Sequence, residues 1–253
     1  MNVVIITQND PFYLSDNLNY LLNNLPSRAH ICGCVLFKAS PFGEKKSFIG
    51  KISSTISIFG VAFFIHYAFR YCLKYFFSLT PKKILQKHKI PIIDLPNNIN
   101  HTNSIDQIKS FKPDLLVSIL GNQIFKDRII NLAHKGCLNL HTALLPKYRG
   151  LMPSFWVLKN NEKETGVSVF YVDEGIDSGP IIVQKKFDID ERSQADLIKY
   201  SKKIGMDAII EAIDLIINDS VNLIPNPDTE KTYFSFPSRE DVLEFKRIGK
   251  KFF

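Results

Sequence analysis

The protein has 253 residues, 45% hydrophobic and 23% charged, with a net charge of +7. Those values exclude a disordered chain, a collagen-like repeat and a disulfide miniprotein, and the length allows one or two domains with a full core. The basic balance suits nucleic acid, an anionic membrane face or a phosphorylated substrate, without choosing among them.

Val3 to Ile6 is a short β-branched run and predicts a strand. The residues before and within it lack the basic region and long apolar core of a signal peptide, so a cytoplasmic protein is expected. Leu14, Leu18, Leu21, Leu22 and Leu25 recur at helical spacing until Pro26 ends the segment. His30 to Phe37 reads as a second strand. Strand, helix, strand opens a parallel α/β domain. The cysteines, Cys32, Cys34, Cys72 and Cys137, form no C-x2-C pair and stand near no histidine cluster. Buried, inert thiols and no metal site are expected.

Residues 47–79 break this rhythm. From Ile52 to Phe69 there is no formally charged residue. The length alone permits a membrane span, but Lys51, Arg70 and Lys74 lie close and serines and threonines dilute the hydrophobicity. Residues 38–89 carry ten Lys or Arg against one acid, Glu44, so the basicity of the chain belongs to this region. Ile52, Ile56, Phe59, Phe63 and Tyr67 fall at helical spacing. One reading is a helical pair packed on the domain or on a second subunit, which would make a homodimer. The other is an interfacial helix with basic rims, in peripheral contact with an anionic bilayer. A span here would split one sheet across the membrane.

Ile90 to Leu95 predicts a strand, Ser104 to Phe111 a helix, and Leu115 to Leu120 a fully buried strand broken by Gly121. Ile124 to Ala133 reads as helix and Gly136 to Leu140 as another buried strand. Val167 to Val172 and Pro180 to Phe187 read as an antiparallel pair, and Asp196 to Ile217 as a long helix. The tail predicts a short extended piece and a final helix. A catalytic domain over 1–217 and an extension over 218–253 follow.

Asn139 and His141 lie two apart at the end of a buried strand, so both side chains leave on one face. Ligands of open parallel sheets bind at such strand ends. Asn139 offers a neutral amide donor and His141 a proton carrier near neutral pH. Asp177, in the glycine-punctuated DEGIDSGP, could fold back to orient the imidazole. Each residue alone is more often structural; their joint arrangement is what points to chemistry.

The string N-x-H-x-x-L-L-P-K-Y-R-G from Asn139, then ETGVSV, then DEGIDSGPI, resembles the folate-dependent formyltransferases. Those include glycinamide ribonucleotide, methionyl-tRNA and sugar N-formyltransferases. The resemblance runs from about Asp114 to Gln184, extends more faintly to Met1, and is absent across 47–79. It implies a Rossmann-like α/β fold, a mostly parallel sheet flanked by helices, here with the helical insertion and a short C-terminal extension. It implies 10-formyltetrahydrofolate as cosubstrate, no metal, and a catalytic trio of Asn139, His141 and Asp177. The pterin pocket would use Ile119, Leu120, Gly121 and Gln123 with Val172, Glu174, Gly175 and Ile176. Lys147, Tyr148, Arg149 and Gly150 resemble the substrate-side loop.

Methionyl-tRNA formyltransferases generally carry a further C-terminal β-barrel, and 36 residues follow Ile217 here, too few for one. The layout looks most like the sugar N-formyltransferases of cell-surface polysaccharide synthesis. The expected acceptor is a nucleotide-linked amino sugar, with no nucleic-acid partner. Methionyl-tRNA and glycinamide ribonucleotide remain alternatives, as does a non-catalytic module that docks to membrane or nucleic acid. The intact trio favours an enzyme.

Overall fold

A computed structural model describes residues 1–10, 12–38, 48–77, 79–95, 98–121 and 123–253. The chain opens with β1 (Asn2–Gln8), α1 (Leu14–Asn23) and β2 (His30–Phe37). Leu14, Leu18 and Leu21 are buried along one stripe of α1, as their spacing requires. The helical insertion forms α2 (Phe48–Phe59) and α3 (Val61–Phe77); Ser47 and Ser78 at its borders lie outside the described residues. There follow α4 (Pro81–Lys87), β3 (Ile92–Ile93), α5 (Thr102–Lys109), β4 (Leu115–Ile119), α6 (Asp127–Ile130) and β5 (Cys137–His141). The second half holds β6 (Arg149–Gly150), α7 (Pro153–Lys159), β7 (Glu164–Tyr171), β8 (Ile181–Asp188), α8 (Gln194–Ile217), β9 (Tyr233–Phe234) and α9 (Arg239–Arg247).

Seven strands form one sheet in the order β3-β2-β1-β4-β5-β7-β8. The five from β3 to β5 are parallel, and β7 and β8 are antiparallel to their neighbours. Strand order reverses between β1 and β4, which opens a crevice at their carboxyl ends. One face of the sheet buries Leu14, Leu18 and Leu21 of α1, Leu85 of α4, and Met206, Ile209 and Ile213 of α8. The other buries Ile105 and Ile108 of α5 and Ile129 and Ile130 of α6. This is the three-layer α/β architecture that the sequence pattern predicts.

A third apolar cluster lies outside these layers. It joins Phe59 of α2, Phe155 and Trp156 of α7, Val242 and Phe245 of α9, and Phe252. Phe155 stacks on Phe245 at 4.8 Å, and Phe245 on Phe252 at 4.7 Å. Such ring pairs contribute about 0.5–1.5 kcal/mol each beyond area burial. The insertion therefore packs on the chain's own C-terminal segment along one side. Arg239 and Lys246 reinforce it by donating to the Ser57 and Phe59 carbonyls, at 2.8 and 3.3 Å. Arg70 does not form a basic rim: its guanidinium turns inward over the Phe253 ring, 5.5 Å from the centroid. No helix among the described residues is long and apolar enough to cross a membrane.

Several elements differ from their predicted bounds for local reasons. The helix expected over Ile124 to Ala133 shrinks to α6, because Asn100 clamps its start. The Asn100 amide donates to the Ile124 carbonyl and accepts from the Lys126 N–H, both at 2.8 Å. The strand expected over Ile90 to Leu95 shortens to β3, an edge strand that pairs only with Cys34 and Val35. α7 has no expected counterpart; Ser154 to Leu158 are all buried, so no amphipathic period marks it. The cysteines are not uniformly buried. Cys34 and Cys137 are, and burial pushes both thiols up, while Cys32 is half-buried and Cys72 is exposed on α3.

Lys202 is buried on α8, on the side of the sheet that α1 also covers. Burial pushes its ammonium down to about 8, with Asp10 opposing the shift. In the unfolded chain the group titrates near 10.5. The unfolded state thus binds more protons between these values, so stability should rise as pH climbs from about 8 to 10.5. Below that window the buried charge costs about 3 kcal/mol. Lys202→Met should therefore raise the urea midpoint at neutral pH, with the gain fading as pH nears the unfolded value. A variant less stable than the parent at neutral pH would show that Asp10 outweighs the burial.

Candidate active site

The C-terminal end of β5 places the site. Leu138 and Leu140 turn into the layer below α8, and Leu140 lies against the backbone of Gly205. Alternation sends Asn139 and His141 to the opposite face. Asn139 is half-buried, flanked by Ser118 of β4 and Phe170 of β7 in the ladder. Its amide makes no hydrogen bond to the described residues.

β7 runs back beside β5, so its end lies at the far end of that strand, where the Val172 N–H donates to the Cys137 carbonyl at 2.7 Å. The distance from there to His141 is about 13 Å along an extended chain. The loop after Val172 covers that distance and returns Asp177 to the histidine. Asp177 Oδ2 stands 3.5 Å from His141 Nδ1, with side chains only 7% and 13% exposed for His141 and Asp177. The same oxygen accepts the Gly150 N–H at 2.8 Å. On the other side of the ring, His141 Nε2 lies 2.7 Å from the Tyr148 carbonyl oxygen. Both ring nitrogens thus face acceptors. An imidazolium donates to both, whereas the neutral ring donates to one.

His141 and Asp177 are brought together, and Asn139 leaves the same strand on the same face two residues earlier. Leu120, Tyr148 and Asp177 around them hold φ of 59°, 59° and 49°. Left-handed backbone costs about 1–2 kcal/mol per non-glycine residue, and strain of this kind clusters at functional sites.

The loop Lys147 to Gly150, after the cis Leu145–Pro146 bond, contributes mainly backbone. Lys147 is exposed, but the side chains of Tyr148 and Arg149 turn into the scaffold. The Tyr148 ring stacks on Phe234 and its hydroxyl donates to Glu162 at 2.6 Å. Burial and that carboxylate push the phenol up to about 12, so it stays protonated. Arg149 is buried and donates to Asp228 at 2.7 Å and to the Asn226 carbonyl and side-chain oxygens at 3.0 and 2.9 Å. Lys231 and Arg149 together hold the Asp228 carboxyl below its usual range.

Asn226 is a residue that sequence reasoning missed. Its amide nitrogen donates to the carbonyls of both Asp177 and Gly179, at 2.9 Å each. With Arg149 it ties the aspartate loop to the YRG loop through the C-terminal segment. β6 and β9 complete the tie as a two-stranded parallel pair, Arg149 opposite Tyr233 and Gly150 opposite Phe234.

The two loops expected at the pterin share one apolar cluster on the Asn139 side of the sheet only at their ends. Val172 packs in the same cluster as Phe125, which follows the strand-end loop. Ile119 is buried and its carbonyl accepts the Thr7 hydroxyl at 2.8 Å. The Gln123 side chain accepts the Ile99 N–H at 2.9 Å. Gly121 lies so close to Ser118 that an added Cβ would come within 2.7 Å of its hydroxyl oxygen. On the facing loop Glu174 and Ile176 are exposed, and the Gly175 N–H donates to Asp173 at 3.0 Å. The side chains of Ile119 and Leu120 pack on the α8 face of the sheet, opposite Asn139, so these two residues offer the expected pocket backbone only. No group of three or more metal-binding side chains occurs among the described residues.

The sequence profile of a family described as formyl transferase matches residues 75–213, which hold Asn139, His141 and Asp177. The chain belongs to the formyl transferase family. The match leaves out α2 and most of α3. A methionyl-tRNA formyltransferase from Alkaliphilus oremlandii is 37% identical over 147 residues, 58% of this chain and 47% of that protein. The chain spans about half the length of the curated relatives it matches. Among solved structures, an N-formyltransferase from Helicobacter canadensis in complex with folinic acid and dTDP-3-aminofucose superposes with a TM-score of 0.58. It is 20% identical and the alignment covers 98% of this chain and 82% of that one. A phosphoribosylglycinamide formyltransferase from Anaplasma phagocytophilum gives a TM-score of 0.64 at 16% identity, over 94% of this chain and 99% of that one. These likenesses support the Rossmann-like formyltransferase fold.

Proposed function

We propose that the protein transfers a formyl group from 10-formyltetrahydrofolate to the primary amine of a nucleotide-linked amino sugar. The observation that carries formyl transfer is the clamped imidazole: His141 between the Tyr148 carbonyl and the Asp177 carboxylate, on the strand face it shares with Asn139, whose amide has no partner among the described residues. The cosubstrate supplies an activated formyl carbon when bound, with the pterin between the strand-end loop and the aspartate loop.

The residues of the chain then divide the work. The Asn139 amide donates to the oxygen on which negative charge develops, a contact worth about 2.7–4 kcal/mol when removed. The His141 imidazolium adds positive charge to the same region, and a substrate oxygen competes with the Tyr148 carbonyl for Nε2. Asp177 fixes the ring through Nδ1 and compensates its charge. The incoming amine loses one proton and the departing folate nitrogen gains one; the His141–Asp177 pair is the group placed to relay it.

The amino-sugar acceptor is supported by the Helicobacter canadensis enzyme, whose structure holds dTDP-3-aminofucose and aligns over nearly this whole chain. The methionyl-tRNA relatives favour a second acceptor, the aminoacyl amine of methionyl-tRNA. A panel of nucleotide-linked amino sugars, charged methionyl-tRNA and glycinamide ribonucleotide, scored by mass gain of one formyl group, separates them. A nucleotide-linked amino sugar should be formylated fastest. Formylation of methionyl-tRNA at a rate matching the best sugar would overturn the acceptor assignment, and no transfer to any amine would overturn the activity.

A further inference from the structure

α3 has one face packed and one face bare. Phe63 and Arg70 are half-buried, Phe63 meeting Phe252 at 5.0 Å, and Tyr67, though 40% exposed, leans on Phe12 at 4.5 Å. On the outer side Val61, Ile65, Phe69 and Cys72 follow one another at helical spacing, with Ala62 and Leu73 beside them. Val61, Ile65, Phe69 and Leu73 are 57%, 61%, 64% and 42% exposed. The described residues of α2 and α3 contain no acid. A contiguous exposed apolar stripe of this kind marks an interaction surface.

The edge of that stripe is basic. Ala62 and His66 border a groove of about 350 Å³ whose other wall is Lys246, Lys250 and Lys251, with Phe252 and Phe253 between. His66 stacks on Phe253 at 3.9 Å, so the groove is continuous with the helix. Lys250 and Lys251 make no ion pair with the described residues, and Lys246 reaches the Phe59 carbonyl and the Phe252 ring face but no acid among the described residues. The acids of α9 are engaged or distant: Asp241 pairs with Lys159, Glu244 pairs with Arg247, and Glu240 lies in the first turn. Beyond the other end of α3, Lys82 and Lys83 are exposed on α4.

We propose that this side of the molecule docks to an anionic lipid bilayer. The α3 stripe enters the acyl boundary and the C-terminal lysines meet the headgroup phosphates, as an interfacial helix with a cationic border does. A second copy fits less well, because a two-fold pairing of this face would bring its own uncompensated lysines together. The surface lies outside the Asn139–His141–Asp177 site, so its test is independent of the activity.

Flotation of the full chain decides it, with vesicles of phosphatidylglycerol and phosphatidylcholine in equal parts against phosphatidylcholine alone. The protein should float with the anionic vesicles and be released as salt rises. Lys250→Gln with Lys251→Gln should weaken partitioning about 25-fold, near fivefold per lysine. Ile65→Ser with Phe69→Ser should abolish flotation, and because both side chains are exposed the fold should survive, as circular dichroism can check. Phe69→Trp emission should shift to the blue on anionic vesicles. Equal flotation with neutral vesicles, no flotation, or a dimer that Ile65→Ser with Phe69→Ser dissolves in the absence of lipid would each overturn the proposal.

Discussion

His141→Asn and Asp177→Asn should each lower turnover by about 10²-fold or more, the usual loss for a positioned acid–base group. Asparagine at 141 is shorter than the imidazole and carries no titratable nitrogen. It could not bridge the Tyr148 carbonyl and the Asp177 carboxylate, which face the two ring nitrogens at 2.7 and 3.5 Å. At 177, the exchange keeps the shape and removes the charge. The Gly150 N–H keeps an acceptor if the amide oxygen faces it, so the fold should hold. The histidine then loses its anionic partner. The two losses should not add in the double variant, because the pair acts as one unit. Formyl transfer measured with the best acceptor, alongside circular dichroism, checks this. Full turnover in either folded variant would remove the pair from the chemistry.

Asn139, His141 and Asp177 were legible because their signals are local. Two of them share one strand face, and the third sits in a glycine-rich loop that composition alone marks as a turn. The strands of the main sheet were legible for a similar reason: short apolar runs such as Val3 to Ile6 and Leu115 to Leu120, closed by polar or glycine residues, admit few other fates. What stayed hidden is long-range. Arg149 meets Asn226 and Asp228 across more than 75 residues, and nothing near NPDTEK in the sequence marks a partner for YRG. β6 and β9 have two residues each, too few to show a period. Periodicity revealed the apolar face of the insertion but not what covers it. The turn of Arg70 onto Phe253 depends on the C-terminal segment, which the local pattern of the insertion does not contain.

Gly150→Ala should reduce both stability and turnover, because that glycine serves the fold through the β6–β9 pair and the site through its N–H. Its φ is 95°, and an added Cβ would come within 2.3 Å of the Phe234 carbonyl oxygen. The obstacle is backbone, so no side-chain rotation relieves it. Either β6 and β9 separate or residue 150 moves. Separation breaks two hydrogen bonds, Arg149 N–H to the Thr232 carbonyl at 2.9 Å and Leu151 N–H to the Phe234 carbonyl at 2.8 Å. With the strained backbone this should cost about 1–3 kcal/mol. Movement has a second consequence, since the Gly150 N–H holds Asp177 Oδ2 and the Tyr148 carbonyl, two residues earlier in the same loop, faces His141 Nε2. A loop displaced by an ångström loosens both, and misplacement of that size costs about 10²-fold in rate. Leu151→Ala, which leaves the φ requirement untouched, separates the effects: it should lower the melting temperature less and keep most of the turnover. Gly150→Ala with parental melting temperature and parental kcat would show that the β6–β9 pairing neither strains this position nor positions the catalytic pair. A lowered melting temperature with unchanged kcat would confine its role to the fold, and the clamp on His141 and Asp177 would then have to come from Asn226 alone.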